Sequence, residues 1–204
     1  PPSRVRLLPY GVNLSKFHRL GSPSQTSFDV LFVGAMSLQK GIPYLVKAFA
    51  ALRVPRKRLL FAGTLSLALI DRLKSLKLWP AEAVILGHVK QDDLKQLMST
   101  CHVLVLPSVQ DGFGMVMAQA MACGCPVIAS EHTGACDLFT NGVEGFIVPI
   151  RDPVCLADRL QQLADDPLLR DRMSEAALRR VQSMGGWQLY GDSAMQIYRA
   201  VAAS

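Results

Sequence analysis

The sequence predicts an α/β domain: a Rossmann-like, doubly wound, mostly parallel six-stranded sheet with helices on both faces. Three observations carry this reading. Short branched apolar runs recur along the chain, segments with helical apolar spacing alternate with them, and a glycine closes each of the first three runs, at Gly34, Gly63 and Gly87. Apolar runs without alternation suit parallel strands covered on both faces, and strands alternating with helices make βαβ units.

Val30–Val33 is the first strand, and the helix Ile42–Leu52 sets Leu45, Ala48, Phe49 and Leu52 on one stripe. Leu59–Ala62 is the second strand. The next helix, over about Ser66–Lys77, turns Leu69, Ile70, Leu73 and Leu76 inward. Ala83–Leu86 is the third strand, and Gln91-Asp92-Asp93 provides an N-terminal cap for a helix through Ser99 with Leu94 and Leu97 inward. Val103–Leu106 and Val127–Ala129 are the fourth and fifth strands, and Gly145–Val148 follows the tight turn Asn141-Gly142 as the sixth. Pro153–Ala164 and Pro167–Val181 read as amphipathic helices started by Asp or Pro. Met184-Gly185-Gly186 then breaks the pattern before a last helix, Trp187 to about Val201. Gly21–Ser27 is a polar loop.

The stretch Leu106–Ser130 concentrates the chemistry. After the fourth strand come Pro107-Ser108 and the turn Asp111-Gly112-Phe113-Gly114. A helix Met115–Cys123 follows, with Gly124 as its C′ residue and Pro126 as a stop. The loop of this βαβ unit lies at the carboxyl end of the sheet, where open α/β sheets bind ligands. Glycines let backbone approach a ligand closely, and a helix start offers free N–H groups and a positive dipole end to a phosphate. A tight βα turn without ligand is the alternative.

This run resembles the signature of the retaining, nucleotide-sugar-dependent glycosyltransferases of family 4, P-S-x-x-E-G-F-G-x-x-x-x-E-A-M-A-C-G-x-P-V. Pro107, Ser108, Gly112, Phe113, Gly114, Ala120, Met121, Ala122, Cys123, Gly124, Pro126 and Val127 fit it. Asp111 stands at the first family glutamate, near the donor sugar, and Gln119 at the second, which grips the ribose hydroxyls. Glutamine still bonds a diol, but more weakly than a carboxylate. Gly34–Gly41 is similar to the family's G-R-L-x-x-x-K-G, with Lys40 at the lysine but Ala35 at the arginine that helps neutralise the donor diphosphate. A lysine cannot imitate the lost bidentate clamp.

The resemblance implies the C-terminal half of a GT-B fold. Residues 1–20, including the linker-like run Pro9–Phe17, would be an interdomain linker remnant, 21–184 the nucleotide-sugar-binding domain and 185–204 a crossover helix. An N-terminal acceptor domain would precede Pro1. Lys40 and Asp111 are the implied catalytic residues. The implied donor-binding set is Gly34, Lys40, Gly87, His88, Val89, Asp111, Gly112, Phe113, Gly114, Met115, Val116 and Gln119, with backbone at Gly87–Val89 walling the base. Asp137 falls at a family acid and reads either as a helix cap or as part of the sugar pocket. The donor would be a UDP- or GDP-linked sugar, with no metal, and the acceptor a carbohydrate, a glycolipid or a small molecule. A GT-B nucleotide-sugar epimerase and a binding module that has lost catalysis are the competing functions; Ala35 and Gln119 are what the latter would show.

The bulk composition fits. Half of the 204 residues are hydrophobic and the net charge is +6, suited to anionic ligands or an anionic membrane surface. Arg53-Arg56-Lys57-Arg58 is the tight basic cluster. Without interleaved aromatics it reads as a solvated turn, not a nucleic-acid site. Five cysteines without framework spacing read as free thiols of a reducing cytoplasm, and Cys123-x-Cys125 lacks the second pair a zinc site needs. No stretch of eighteen apolar residues and no signal-peptide pattern occurs. The expectation is a cytoplasmic protein with peripheral contact to an anionic membrane at most.

Overall fold

A computed structural model describes residues 5, 6, 8 and 10–202 of the chain. Residues 1–4, 7 and 9 of the expected linker lie outside them. Six parallel strands form one sheet: β1 (Phe28–Val33), β2 (Lys57–Ala62), β3 (Ala83–Gly87), β4 (Val103–Leu106), β5 (Val127–Ser130) and β6 (Gly145–Val148), in the order β3-β2-β1-β4-β5-β6. The helices are α1 (Ile42–Ala51), α2 (Leu67–Ser75), α3 (Gln91–Thr100), α4 (Met115–Ala122), α5 (Ala135–Leu138), α6 (Pro153–Asp165), α7 (Pro167–Met184) and α8 (Trp187–Ala202). Right-handed crossovers place the helices on two faces: α1 packs on α6, and α4 packs on α3 and α7. Strand order reverses between β1 and β4, and those two strands pair only at Val30 with Val103 and Leu31 with Leu104. Beyond these pairs they diverge, so a crevice opens at their carboxyl ends, where doubly wound sheets bind ligands.

Two strands start earlier than their apolar runs suggest, for one electrostatic reason. Asp29 of β1 lies in register with Arg58 of β2, and the guanidinium donates Nε to Oδ1 at 2.8 Å and Nη2 to Oδ2 at 2.5 Å. Asp29 is 2% exposed, and the bidentate pair is what makes that burial tolerable. Lys57, at the start of β2, donates Nζ to the carbonyls of Phe49 at 2.8 Å and Leu52 at 2.7 Å. It thereby satisfies orphan acceptors at the end of α1. The basic cluster is therefore not a solvated turn: half of it is structural.

Local chemistry places the helix ends. Ser66, Asp152 and Asp166 each accept from backbone N–H groups in the first turns of α2, α6 and α7. The expected cap at Gln91-Asp92-Asp93 is corrected: Lys90 is the N-cap of α3 and makes no side-chain bond. All three residues sit inside the first turn, where the two carboxylates face the positive dipole end. On that helix Met98 is the deeply buried side chain, with Leu94 and Leu97 packed against the core's margin. Helix α2 stops early because Lys77 adopts φ 56°, so Leu76 points to solvent and only Ile70 and Leu73 are buried. Asp137 falls inside α5, whose N-cap is Gly134; it caps nothing.

Helix α4 is apolar nearly all round and is buried accordingly, with Met117, Ala118, Ala120, Met121 and Ala122 in the core. Helix α8 buries no residue; Leu189, Met195 and Val201 are exposed. All five cysteines are free, with Cys101, Cys123 and Cys125 buried, Cys155 half-buried and Cys136 exposed. Among the described residues no helix is long and apolar enough to cross a membrane.

Candidate functional site

Three loops meet at the carboxyl ends of β1, β4 and β5: residues 34–41, 107–114 and 131–134. Backbone hydrogen bonds tie the middle loop to both neighbours. Val109 N–H donates to Gln39 O at 2.8 Å, Asp111 N–H to His132 O at 2.9 Å and Gly114 N–H to Thr133 O at 3.1 Å. Two glycines make the close approach feasible. A Cβ on Gly41, whose φ is 73°, would fall 1.9 Å from the carbonyl oxygen of Pro107; one on Gly134, φ 75°, would fall 2.9 Å from the Phe113 ring. Both positions require left-handed backbone and no side chain.

This packing delivers the lysine. Ser37 Oγ accepts from Lys40 N–H at 3.1 Å, fixing the turn into α1. Lys40 Nζ then reaches Asp111 Oδ2 at 2.5 Å, with the two side chains 25% and 18% exposed. Behind the loop Ser130 Oγ donates to Ser108 O at 2.5 Å and Thr133 Oγ1 to Ser130 O at 2.7 Å. The Ser108 hydroxyl is the one buried side-chain oxygen or nitrogen without a hydrogen bond among the described residues.

The helix starts facing this crevice lack the side-chain caps that close the starts of α2, α6 and α7. Helices α1, α4 and α5 begin at Gly41, Gly114 and Gly134 with no side-chain cap, and α4 has no acidic residue in its first turn. Helices α2, α6 and α7 are capped by Ser66, Asp152 and Asp166. Uncapped N–H groups and positive dipole ends thus converge where the loops meet, an arrangement suited to an anion.

The remaining expected residues form a second group. Gly34 N–H donates to Ala62 O at 2.9 Å and Gly63 N–H to Gly87 O at 2.7 Å, so the ladder continues through the glycines. A Cβ on Gly63 would fall 2.1 Å from Gly34 O. Against this row lies a cavity of about 280 Å³, lined by Gly34, Ala35, Thr64, His88, Val89 and Leu94 among others. It does not reach Lys40 or Asp111. His88 is exposed. Gln119 lies one turn into α4, half-buried, its side chain without a hydrogen bond among the described residues. Gly112 is exposed, whereas Phe113, Met115 and Val116 are half-buried.

Sequence reasoning passed over His132, whose carbonyl holds Asp111 and whose Nδ1 lies 3.3 Å from Val109 O, and the packing role of Gly41 and Gly134. The glycines were visible, but nothing local announces the loop each must accommodate. No group of three or more His, Cys, Asp or Glu among the described residues is placed to hold a metal ion. A larger cavity, about 840 Å³, opens at the amino end of the sheet around Arg19, His102, Arg170 and Ser174. Its polar groups already pair with protein: Arg19 with Glu175, Arg170 with the Leu163 and Ala164 carbonyls, and Ser174 with the Gly124 carbonyl. The site argued from chemistry is therefore the carboxyl-edge crevice and not this larger hollow.

Comparison with known proteins identifies the family of the chain. The D-inositol 3-phosphate glycosyltransferase of Arthrobacter sp. (strain FB24) is 32% identical over 212 residues, covering 96% of this chain and 50% of that protein. The sucrose-phosphate synthase of Thermosynechococcus elongatus superposes with TM-score 0.84 at 29% identity, over 98% of this chain and 53% of its own. Anabaena Alr3699/HepE, solved in complex with UDP-glucose, superposes with TM-score 0.80 at 20% identity, over 98% and 57%. The chain spans about half the length of the curated relatives it matches. Residues 16–180 match the model of the glycosyl transferases group 1, and the chain belongs to that family.

Proposed function

We propose that this chain is the donor-binding domain of a retaining glycosyltransferase. It holds a nucleoside diphosphate sugar in the carboxyl-edge crevice while a preceding N-terminal domain supplies the acceptor. The single observation that carries this reading is the contact of Lys40 with Asp111, 71 residues away on the loop that leads into the uncapped start of α4. The diphosphate lies between the Lys40 ammonium and the positive dipole end at the start of α4, and the base and ribose run toward Gly87–Val89 and Gln119. Asp111 faces the sugar.

Catalysis in this reading is positioning plus charge. Lys40 and the α4 dipole neutralise the diphosphate as its bond to the sugar breaks, and the preformed loops keep that field fixed. No residue of the chain is assigned a proton-transfer role, and no step is routed through a metal. UDP is the first nucleotide to test, because the Anabaena relative was solved with UDP-glucose. The acceptor is a carbohydrate or a lipid-linked sugar. The excess of positive charge suits a cytoplasmic enzyme that meets an anionic membrane at its surface.

A second reading, a nucleotide-sugar-binding module without turnover, draws on Ala35 and Gln119. Calorimetric titration with UDP, GDP and ADP, repeated on Gln119→Glu, tests the site itself. One nucleotide is expected to bind saturably, and Gln119→Glu to tighten it about three- to tenfold through a charge-assisted bond to the ribose diol. Absence of binding by all three up to millimolar concentration overturns the placement. Binding by a protein carrying both domains, without sugar transfer to any acceptor, favours the module.

A further inference from the structure

The loop at Asp111–Gly114 is held by its backbone at its two ends. Asp111 and Gly114 donate to the 131–134 loop, but Gly112 between them is exposed, with open space where a Cβ would stand. Phe113 supplies the missing restraint. One edge of its ring lies against Gly134, where a Cβ would come within 2.9 Å. Another contact comes from a residue far away in sequence: the Tyr10 ring meets Phe113 edge-on, centroids 5.2 Å apart and planes at 62°.

Tyr10 is itself fixed from the opposite end of the chain. It stacks on Tyr190 at 5.6 Å and lies 5.9 Å from Trp187, two residues of α8 that contact each other edge-on at 5.5 Å. Next to it, Gly11 presses against Gly186 so closely that a Cβ would fall 2.4 Å from the Gly186 carbonyl carbon. The segment entering the domain and the helix leaving it therefore cross here, and one aromatic ring reaches from that crossing to the glycine loop. No residue of α8 is buried, so this aromatic cluster is the chief structured feature of the crossing.

We propose that Tyr10 is a positioning residue for the Asp111–Gly114 loop: through Phe113 it holds the loop, and with it the start of α4 at Gly114, in its nucleotide-ready geometry. This rests on the proposed donor site for its consequence, though not for its mechanism. An aromatic ring is required, since an edge-to-face pair has a geometric preference that an aliphatic side chain of similar reach lacks. The hydroxyl is not.

Two measurements on this chain test it, each with Tyr10→Leu and Tyr10→Phe. The first is amide hydrogen exchange without nucleotide. Tyr10→Leu is expected to speed exchange in the peptide 109–117 about threefold or more while leaving β2 unchanged, and Tyr10→Phe to match the parent. Unchanged exchange at 109–117 in Tyr10→Leu overturns the proposal. The second is UDP affinity, expected to fall about three- to tenfold in Tyr10→Leu and to be retained in Tyr10→Phe. Faster exchange with unchanged affinity overturns the link to nucleotide binding. Faster exchange in Tyr10→Leu, where the parent chain itself binds no nucleotide, upholds the positioning role and overturns the donor reading, so the two failures are distinguishable.

Discussion

Lys40 Nζ stands 2.5 Å from Asp111 Oδ2, and the same two groups are those the proposed donor site needs most. An ammonium already paired to a carboxylate must be shared when a diphosphate arrives, while the carboxylate repels that diphosphate. Lys40→Ala and Asp111→Asn are therefore expected to move UDP affinity in opposite directions. Losing Lys40 removes a charge-assisted bond and weakens binding about ten- to hundredfold; neutralising Asp111 releases the lysine and tightens binding up to about fivefold. Titration calorimetry reads both. If both variants weaken binding equally, the pair acts by holding the loops and not by charge.

Gly41 places Lys40, and its backbone shows how tightly. At φ 73° an L-residue is disfavoured, and a Cβ would collide with the Pro107 carbonyl 1.9 Å away. Gly41→Ala is expected to destabilise the chain by about 2–4 kcal/mol, lowering the thermal midpoint by roughly 5–15 °C. Gly142 has a similar φ of 82° but open space around it, so Gly142→Ala is expected to cost only about 1–2 kcal/mol. Equal losses by calorimetry would mean that backbone strain alone, and not the contact between loops, governs Gly41.

Most of the fold was legible because parallel strands covered on both faces read as unbroken apolar runs, and glycines marked their ends. At the two strand starts that the apolar runs miss, a charge is involved. Asp29 and Arg58 look like chain-end polar residues until the register sets them opposite each other, and Lys57 looks solvated until the end of α1 comes within its reach. Leu76 was assigned inward by period alone, which could not foresee the left-handed turn at Lys77. Of the site, the glycine loop and Lys40 stood out by motif. The convergence of uncapped helix starts, the His132 carbonyl and the Tyr10 contact could not, since each depends on loops meeting across long stretches of chain.

His102 makes stability depend on pH. It is 4% exposed, and its Nδ1 accepts the Asp29 N–H at 3.0 Å, a bond that only the neutral ring can form. Burial lowers its pKa from the ordinary 6.5, and the Arg170 and Arg58 cations lower it further, while the Asp29 carboxylate and the Ser24 carbonyl pull the other way. Below pH 6.5 the unfolded chain takes up a proton that the folded chain resists, so the unfolded state binds more protons and stability falls as pH drops toward the folded pKa. Urea midpoints measured from pH 7.5 down to 5.5 are expected to decline. They should decline less in His102→Asn, whose amide oxygen accepts the same bond without titrating. An identical slope in that variant assigns the pH dependence elsewhere.

The cysteines report on packing around α4, because the thiolate is the reactive species and burial suppresses it. Desolvation pushes the Cys101 thiol up to about 12 and the Cys123 thiol up to about 11, and Cys125, enclosed between them, lies well above its ordinary range. Cys136 is exposed and Cys155 half-buried. Alkylation of the native chain with iodoacetamide at pH 8, followed by mass spectrometry, is expected to modify Cys136 quickly and Cys155 slowly. The other three should react only once urea has opened the domain. Their silence depends on the ends of α3 and α4 closing over the amino ends of β4 and β5. Labelling of Cys123 or Cys125 at the rate of Cys136 would therefore mean that this end of α4 opens on its own, and the helix could not hold its opposite end, at Gly114, fixed against a ligand.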